Sequence, residues 1–222
     1  MRIFIFFVYK ILIVGNSLTS YNSFVEKFNT KIEGINPKIN VDTMLADGSS
    51  ISINIASALF KKKLSFEQGN LKEDFKFWLP KNSMYNEFLN LINSYDIIYL
   101  QNNDLDCCNF SEIINVIMKN IKPGKILLIY ENFSKITWNN KIREKEYKKN
   151  YKKFKRSIRF NDYKNLKLIP IGTLYNKFYT DGTLSKYIFS DFHPTSYGTE
   201  LLCKLILHET INHYGNNNIE KE

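Results

Sequence analysis

Residues 10–19 read KILIVGNSLT, and this stretch decides the fold. Four consecutive apolar residues, Ile11–Val14, are followed by the turn residues Gly15 and Asn16, a pattern typical of a short strand buried on both faces. Apolar residues at helical spacing begin near Thr19. A strand that passes through a sharp loop into a helix is the first half of a βαβ unit. The segment therefore predicts an α/β protein with a parallel sheet.

The same alternation recurs along the rest of the chain. Five segments have the length and composition of strands: Lys10–Val14, Ile39–Met44, Tyr95–Leu100, Lys125–Tyr130 and Leu166–Pro170. Stretches with helical spacing lie at 19–30, 50–60, 83–94, 111–121, 141–159 and 195–213. Together they predict a three-layer α/β sandwich, in which helices cover both faces of a parallel sheet of roughly five strands.

Length and composition favour one folded domain. The chain has 222 residues, of which 44% are hydrophobic and 24% are charged, close to the averages of folded proteins. No linker or internal repeat divides it. We therefore treat residues 1–222 as a single domain. Within it, residues 1–9 are an N-terminal extension, 61–80 are an insertion or a flap, and 214–222 are a polar tail.

The cysteines and the N-terminus bear on cellular location. Cys107, Cys108 and Cys203 are odd in number and lack C-x-x-C spacing, which favours a reducing compartment. The apolar run that precedes Lys10 is too short to span a membrane. We expect a cytoplasmic protein, and the same apolar run leaves secretion or membrane association as alternatives.

The formal net charge of +9 is concentrated in one predicted helix. Residues 141–159 contain ten Lys or Arg and two Glu, so the rest of the chain is nearly neutral. Tyr147, Tyr151, Phe154 and Ile158 step by four, three and four residues, which predicts an apolar stripe packed on the sheet and a solvated basic face. We expect no nucleic-acid partner. The alternative is a helix that docks to an anionic surface, as in a non-catalytic binding domain.

The loops that follow the predicted strands carry the reactive side chains. In an open parallel sheet, ligands bind beyond the carboxyl ends of the strands, where these loops meet. The loops read GNSLT at 15–19, DGSS at 47–50 and QNND at 101–104, and SDFHP follows at 190–194. They offer a serine at the start of a helix, candidate oxyanion donors, and an imidazole with a carboxylate nearby. That combination is typical of acyl transfer by a serine nucleophile.

These segments resemble the four sequence blocks of the SGNH, or GDSL-like, hydrolases, and the match runs from Lys10 to about residue 213. The first block matches with Asn16 in place of Asp. Gly48 stands at the second-block glycine, Asn103 at the third-block asparagine and His193 at the histidine of the last block. The resemblance implies the SGNH hydrolase fold, a flavodoxin-like sandwich, and a serine esterase or acylhydrolase that needs no metal and no cofactor.

The resemblance assigns a role to each matching residue. Ser17 is the nucleophile and His193 is the general base, and Asp191 is the acid that orients the imidazole. The oxyanion hole consists of the backbone N–H groups of Ser17 and Gly48 together with the side-chain amide of Asn103.

Two positions depart from the family pattern and give alternates. Gln101 stands where the family has a glycine, so Gln101 is the alternate to Asn103 as the amide that points into the site. The family's acid lies three residues before the histidine, a position that Ser190 occupies here, whereas Asp191 lies two before His193. Ser190 is therefore the alternate to Asp191.

The expected reaction is hydrolysis of a carboxylic ester through an acyl-enzyme. The resemblance implies a small ester or an acylated carbohydrate, such as an O-acetylated sugar, as the substrate. An acyltransferase that uses the same serine is the alternative. No metal site is predicted, because His208 and His213 are five residues apart and so lie off a common helical face.

Overall fold

The structure is a computed structural model that describes part of the chain. The described residues are 9–35, 38–45, 55, 59, 76–101, 110–131, 149, 152, 155–156, 158, 163–190 and 193–219. Residues 1–8, most of the predicted insertion 61–80, and most of the predicted helices 50–60 and 141–159 lie outside them.

Five strands form one parallel sheet in this part of the chain, which confirms the predicted fold class. The strands are β1 (Tyr9–Gly15), β2 (Ile39–Leu45), β3 (Ile97–Leu100), β4 (Ile126–Tyr130) and β5 (Leu166–Ile169). Their order in the sheet is β2-β1-β3-β4-β5. Strand order reverses beside β1, so the loop after β1 opens at the switch point where ligands bind in such sheets.

The helices whose bounds lie within the described residues are α1 (Ser17–Ser20), α2 (Phe24–Ile35), α3 (Tyr85–Asn93), α4 (Phe110–Asn120), α5 (Ile171–Thr180) and α6 (Ser196–Ile219). Short 3-10 turns lie at Tyr21–Ser23 and Leu184–Lys186. The helices predicted at 83–94, 111–121 and 195–213 are confirmed. The last of them continues to Ile219, so the first part of the predicted polar tail is helical.

Two of the local predictions that differ from the structure concern the ends of strands β1 and β5. Tyr9 pairs with Ile39 in β1 and so belongs to the sheet rather than to the N-terminal extension. Helix α5 is missing from the predicted elements, because the strand was extended to Pro170 and Gly172 was read as a turn. Its apolar residues nevertheless follow the helical spacing. They are Ile171, Leu174, Tyr175 and Phe178.

The two faces of the sheet carry separate apolar cores. Alternate residues of a strand point to opposite faces, so Leu12 and Val14 pack on the α3–α4 side while Ile11 and Ile13 pack on the side of α2, α5 and α6. All four side chains are at most 1% exposed. Burial of the sheet on both faces explains the continuous apolar run that opens the sequence motif.

The described residues of the basic segment agree with the predicted pattern, while Tyr147, Tyr151 and Phe154 of the predicted apolar stripe lie outside the described residues. Lys149, Lys152 and Arg156 are exposed, whereas Ile158 is fully buried in the core on the α3–α4 side. Among the helices in the described ranges, none combines the length and the apolar character needed to cross a membrane.

Candidate active site

Ser17 is the first residue of α1, directly beyond the carboxyl end of β1. A serine at such a junction usually caps the helix, but here Asn16 does so. The Asn16 side-chain oxygen accepts the backbone N–H of Leu18 at 3.1 Å. The half-buried Ser17 therefore stands just inside the cap.

Gln101 connects the loop around Ser17 to the neighbouring strand. This residue follows β3, and its side chain is fully buried. Its Oε1 atom accepts the backbone N–H of Asn16 at 2.8 Å and the hydroxyl of Thr19 at 3.2 Å. A Cβ atom at Gly15 would lie 2.8 Å from the same oxygen, so the glycine permits this close approach.

A buried tyrosine completes this hydrogen-bonded chain. The Tyr99 hydroxyl lies 3.4 Å from Thr19 Oγ1. Because Gln101 Oε1 can only accept, the Thr19 hydroxyl donates to it and accepts from Tyr99. Burial raises the pKa of Tyr99 well above its ordinary value, which keeps the phenol protonated as a donor.

His193 lies on a short hairpin before α6. Ile188 and Pro194 form an antiparallel bridge, and the Phe189 N–H donates to the His193 carbonyl at 2.8 Å. The Thr195 N–H donates to the Tyr187 carbonyl at 2.9 Å and closes the hairpin. These backbone contacts fix the main chain at His193.

The 3-10 turn at Tyr21–Ser23 joins the segment of Ser17 to the segment of His193. The Tyr21 ring stacks on the imidazole, with centroids 4.6 Å apart and an interplanar angle of 26°. The side-chain amide of Asn22 donates to the carbonyl of the proline that follows the histidine. At the other end of the turn, the Tyr21 N–H donates to the Ser17 carbonyl.

The same turn breaks the helix that the sequence predicts at 19–30. Asn22 and Ser23 have φ angles of 53° and 58°, in the left-handed region. This conformation costs non-glycine residues roughly 1 kcal/mol or more, and Asn tolerates it best after glycine. The sequence motifs assign no role to Tyr21 or Asn22. The turn-forming pair Asn22-Ser23 was the available signal.

Three of the predicted site residues, Gly48, Asn103 and Asp191, lie outside the described residues, and their roles stay predictions. Ser190, the alternate acid position, is exposed at the tip of the hairpin. The structure thus links Ser17 to Gln101 through Asn16, and the segment after Ser17 to His193 through Tyr21.

Other reactive groups in the described part of the chain are few. Burial raises the pKa of the Cys203 thiol to about 12, so this cysteine stays protonated and is a poor nucleophile. Within the same residues, no three His, Cys, Asp or Glu side chains cluster in a way that could hold a metal ion.

The architecture matches solved structures at low sequence identity. Axe2, an acetylxylan esterase from Geobacillus stearothermophilus, is 10% identical and has a TM-score of 0.54, over 90% of this chain and 93% of that one. A putative GDSL-like lipase from Parabacteroides merdae is 12% identical with a TM-score of 0.51, over 94% and 96%. The sequence matches no protein-family model and no curated protein. The chain has the fold of the SGNH/GDSL-like hydrolases.

Proposed function

We propose that the protein is a serine-dependent hydrolase that cleaves carboxylic esters through an acyl-enzyme. The observation that carries this proposal is the link between two segments far apart in sequence. Ser17 begins the helix after β1, and the turn that follows it stacks Tyr21 on His193. The shared fold of an acetylxylan esterase and a GDSL-like lipase supports the same chemistry.

In the proposed reaction, His193 takes the proton of the Ser17 hydroxyl while the serine oxygen attacks the ester carbonyl carbon. The bond to the alcohol then breaks, and the alcohol leaves with the proton from His193. Water, deprotonated by His193, attacks the acyl-serine and releases the carboxylic acid. Asp191 orients the imidazole in this scheme.

The negative charge on the carbonyl oxygen needs donors in place before the attack. We assign this role to the backbone N–H groups of Ser17 and Gly48 and to the side-chain amide of Asn103. Removal of one such donor typically raises the barrier by ~3–4 kcal/mol.

We propose an acylated carbohydrate, such as an O-acetylated sugar, as the substrate. Two aromatic rings next to His193 support this class. Tyr21 is 39% exposed and Phe189 is 46% exposed, and their rings meet edge to face at 6.3 Å. A sugar ring stacks its C–H face on an open aromatic ring and leaves its hydroxyls in water. An alkyl chain gains most when it is enclosed on all sides.

A fluorophosphonate probe tests the nucleophile without assuming a substrate. The parent protein should be labelled at Ser17, and Ser17→Ala should lose both labelling and hydrolysis of p-nitrophenyl acetate. Ser20→Ala is the matched control, because this half-buried serine lies in the same short helix and should react as the parent does. Labelling that persists in Ser17→Ala would refute the assignment. Comparing an acetylated xylo-oligosaccharide with a long-chain p-nitrophenyl ester then tests the substrate class.

A further inference from the structure

We propose that Gln101 is a positioning residue that holds the loop of the nucleophile, and that it does not donate to the oxyanion. This role rests on the proposed function of Ser17. It deepens that proposal by naming the group that fixes the serine relative to the sheet.

Two hydrogen bonds to Gln101 lie on either side of Ser17. One oxygen, Gln101 Oε1, accepts from the backbone of Asn16, one residue before the serine, at 2.8 Å. It also accepts from the side chain of Thr19, two residues after the serine, at 3.2 Å. Residues on both sides of Ser17 therefore bind to Gln101, which directly follows the neighbouring strand β3. A single acceptor thus holds the main chain before the hydroxyl and a side chain after it.

The backbone at Gly15 approaches Gln101 closely. Because a Cβ atom there would lie 2.8 Å from Gln101 Oε1 and 3.0 Å from Thr19 Oγ1, the loop packs against this oxygen without room for a side chain. Such packing leaves the loop little freedom to move while the two hydrogen bonds are intact.

The burial of Gln101 excludes direct contact between this side chain and a substrate. The residue is 0% exposed, whereas an oxyanion donor must reach the substrate oxygen at about 3 Å. Its amide nitrogen is also buried and has no hydrogen-bond partner among the residues that the structure describes. An unpaired buried donor destabilises the fold, so this side chain stabilises the loop through its oxygen.

The test compares variants that keep or lose the acceptor oxygen. Gln101→Met removes it at similar size, and Gln101→Glu retains an oxygen in either protonation state. Glu131→Met is the matched control. Glu131 is equally buried and follows the next strand, β4. It accepts from the Thr173 N–H at 2.6 Å and the Thr173 hydroxyl at 2.9 Å, and Thr173 lies outside the serine loop. The measurements are kcat and KM for p-nitrophenyl acetate, the rate of fluorophosphonate labelling, and the thermal midpoint.

We expect Gln101→Met to lower kcat and the labelling rate by about 100-fold with KM within about threefold, because displacement of a catalytic group costs turnover rather than binding. Gln101→Glu should recover at least about a tenth of the parent rate. Glu131→Met should lower the thermal midpoint and keep kcat within about threefold. If Gln101→Met does not fold, Thr19→Val removes one of the two donors and should lower kcat several-fold at unchanged KM.

Several results would overturn the positioning role of Gln101. A Gln101→Met protein with near-parent kcat, a Gln101→Glu protein that recovers nothing, or equal losses of activity in Gln101→Met and Glu131→Met would each reject it. So would an unchanged kcat in Thr19→Val. A parent protein that the probe does not label refutes the proposed function and this role together. A labelled parent with an unaffected Gln101→Met refutes the role alone.

Discussion

Replacement of Gly198 by alanine should disturb the hairpin that carries His193. Gly198 lies in the first turn of α6, and a Cβ atom there would sit 2.0 Å from the Tyr187 carbonyl oxygen and 3.1 Å from Pro194 Cβ. Ordinary van der Waals contact of a Cβ atom begins near 3.4 Å, so the backbone at Gly198 or Tyr187 must move by roughly 1.4 Å. The Tyr187 carbonyl accepts the Thr195 N–H that closes the hairpin.

The size of the effect follows from three contributions. Overpacking of this kind costs about 1–3 kcal/mol, and the strained or lost hydrogen bond at Tyr187 costs about 1 kcal/mol. The higher helix propensity of alanine offsets about 1 kcal/mol. The free energy of unfolding should therefore fall by about 1–3 kcal/mol. The rate of probe labelling at Ser17 should fall by at least about tenfold, because His193 moves with the hairpin.

Urea unfolding and labelling below the unfolding transition measure the two effects. Gly34→Ala is the matched control, because Gly34 lies exposed near the end of α2 and a Cβ atom there meets nothing within 4 Å. That variant should be up to about 1 kcal/mol more stable, with unchanged labelling. A Gly198→Ala protein as stable as the parent, or a destabilised one that labels at the parent rate, contradicts the steric argument.

The remaining predictions concern the pH dependence of stability and the residue proposed to orient His193. Burial lowers the pKa of His213, so the unfolded chain binds more protons than the folded one just below pH 6.5, and the free energy of unfolding falls as the pH drops through that window. His213→Asn should reduce the slope of the free energy of unfolding against pH in this window, as measured by urea unfolding. An unchanged slope would contradict this prediction. Asp191→Asn should lower kcat by about 10⁴-fold while Ser190→Ala changes it little. The opposite ranking places the acid elsewhere.

The sheet was predictable because its signal is local. Apolar runs bounded by turn residues located all five strands, and the loop Gly15–Thr19 followed from the first of them. Burial on both faces requires such runs whatever the rest of the chain does. The same locality made Ser17 and His193 identifiable as candidates from their loops alone.

The break after α1 was not predictable in the same way. Asn22 and Ser23 take left-handed conformations while the Asn22 side chain bonds to the Pro194 carbonyl, 172 residues away in sequence. Helical spacing of apolar residues continues through this turn, so the spacing of the apolar residues alone favours one continuous helix. From the sequence, Gln101 is only an alternate amide donor, because its burial and the direction of its oxygen depend on packing between strands.

The link between Tyr21–Ser23 and the hairpin has a consequence for biosynthesis. The Thr199 hydroxyl donates to the Tyr21 carbonyl across 178 residues, whereas the bond between Gln101 and Asn16 spans 85. Chains emerge from the ribosome N-terminus first, so the serine loop can attach to its sheet once Gln101 has been made. His193, in contrast, is made 92 residues after Gln101. On the proposed mechanism, a nascent or truncated chain that ends before residue 193 holds an arranged serine loop without its base, and it should show no esterase activity.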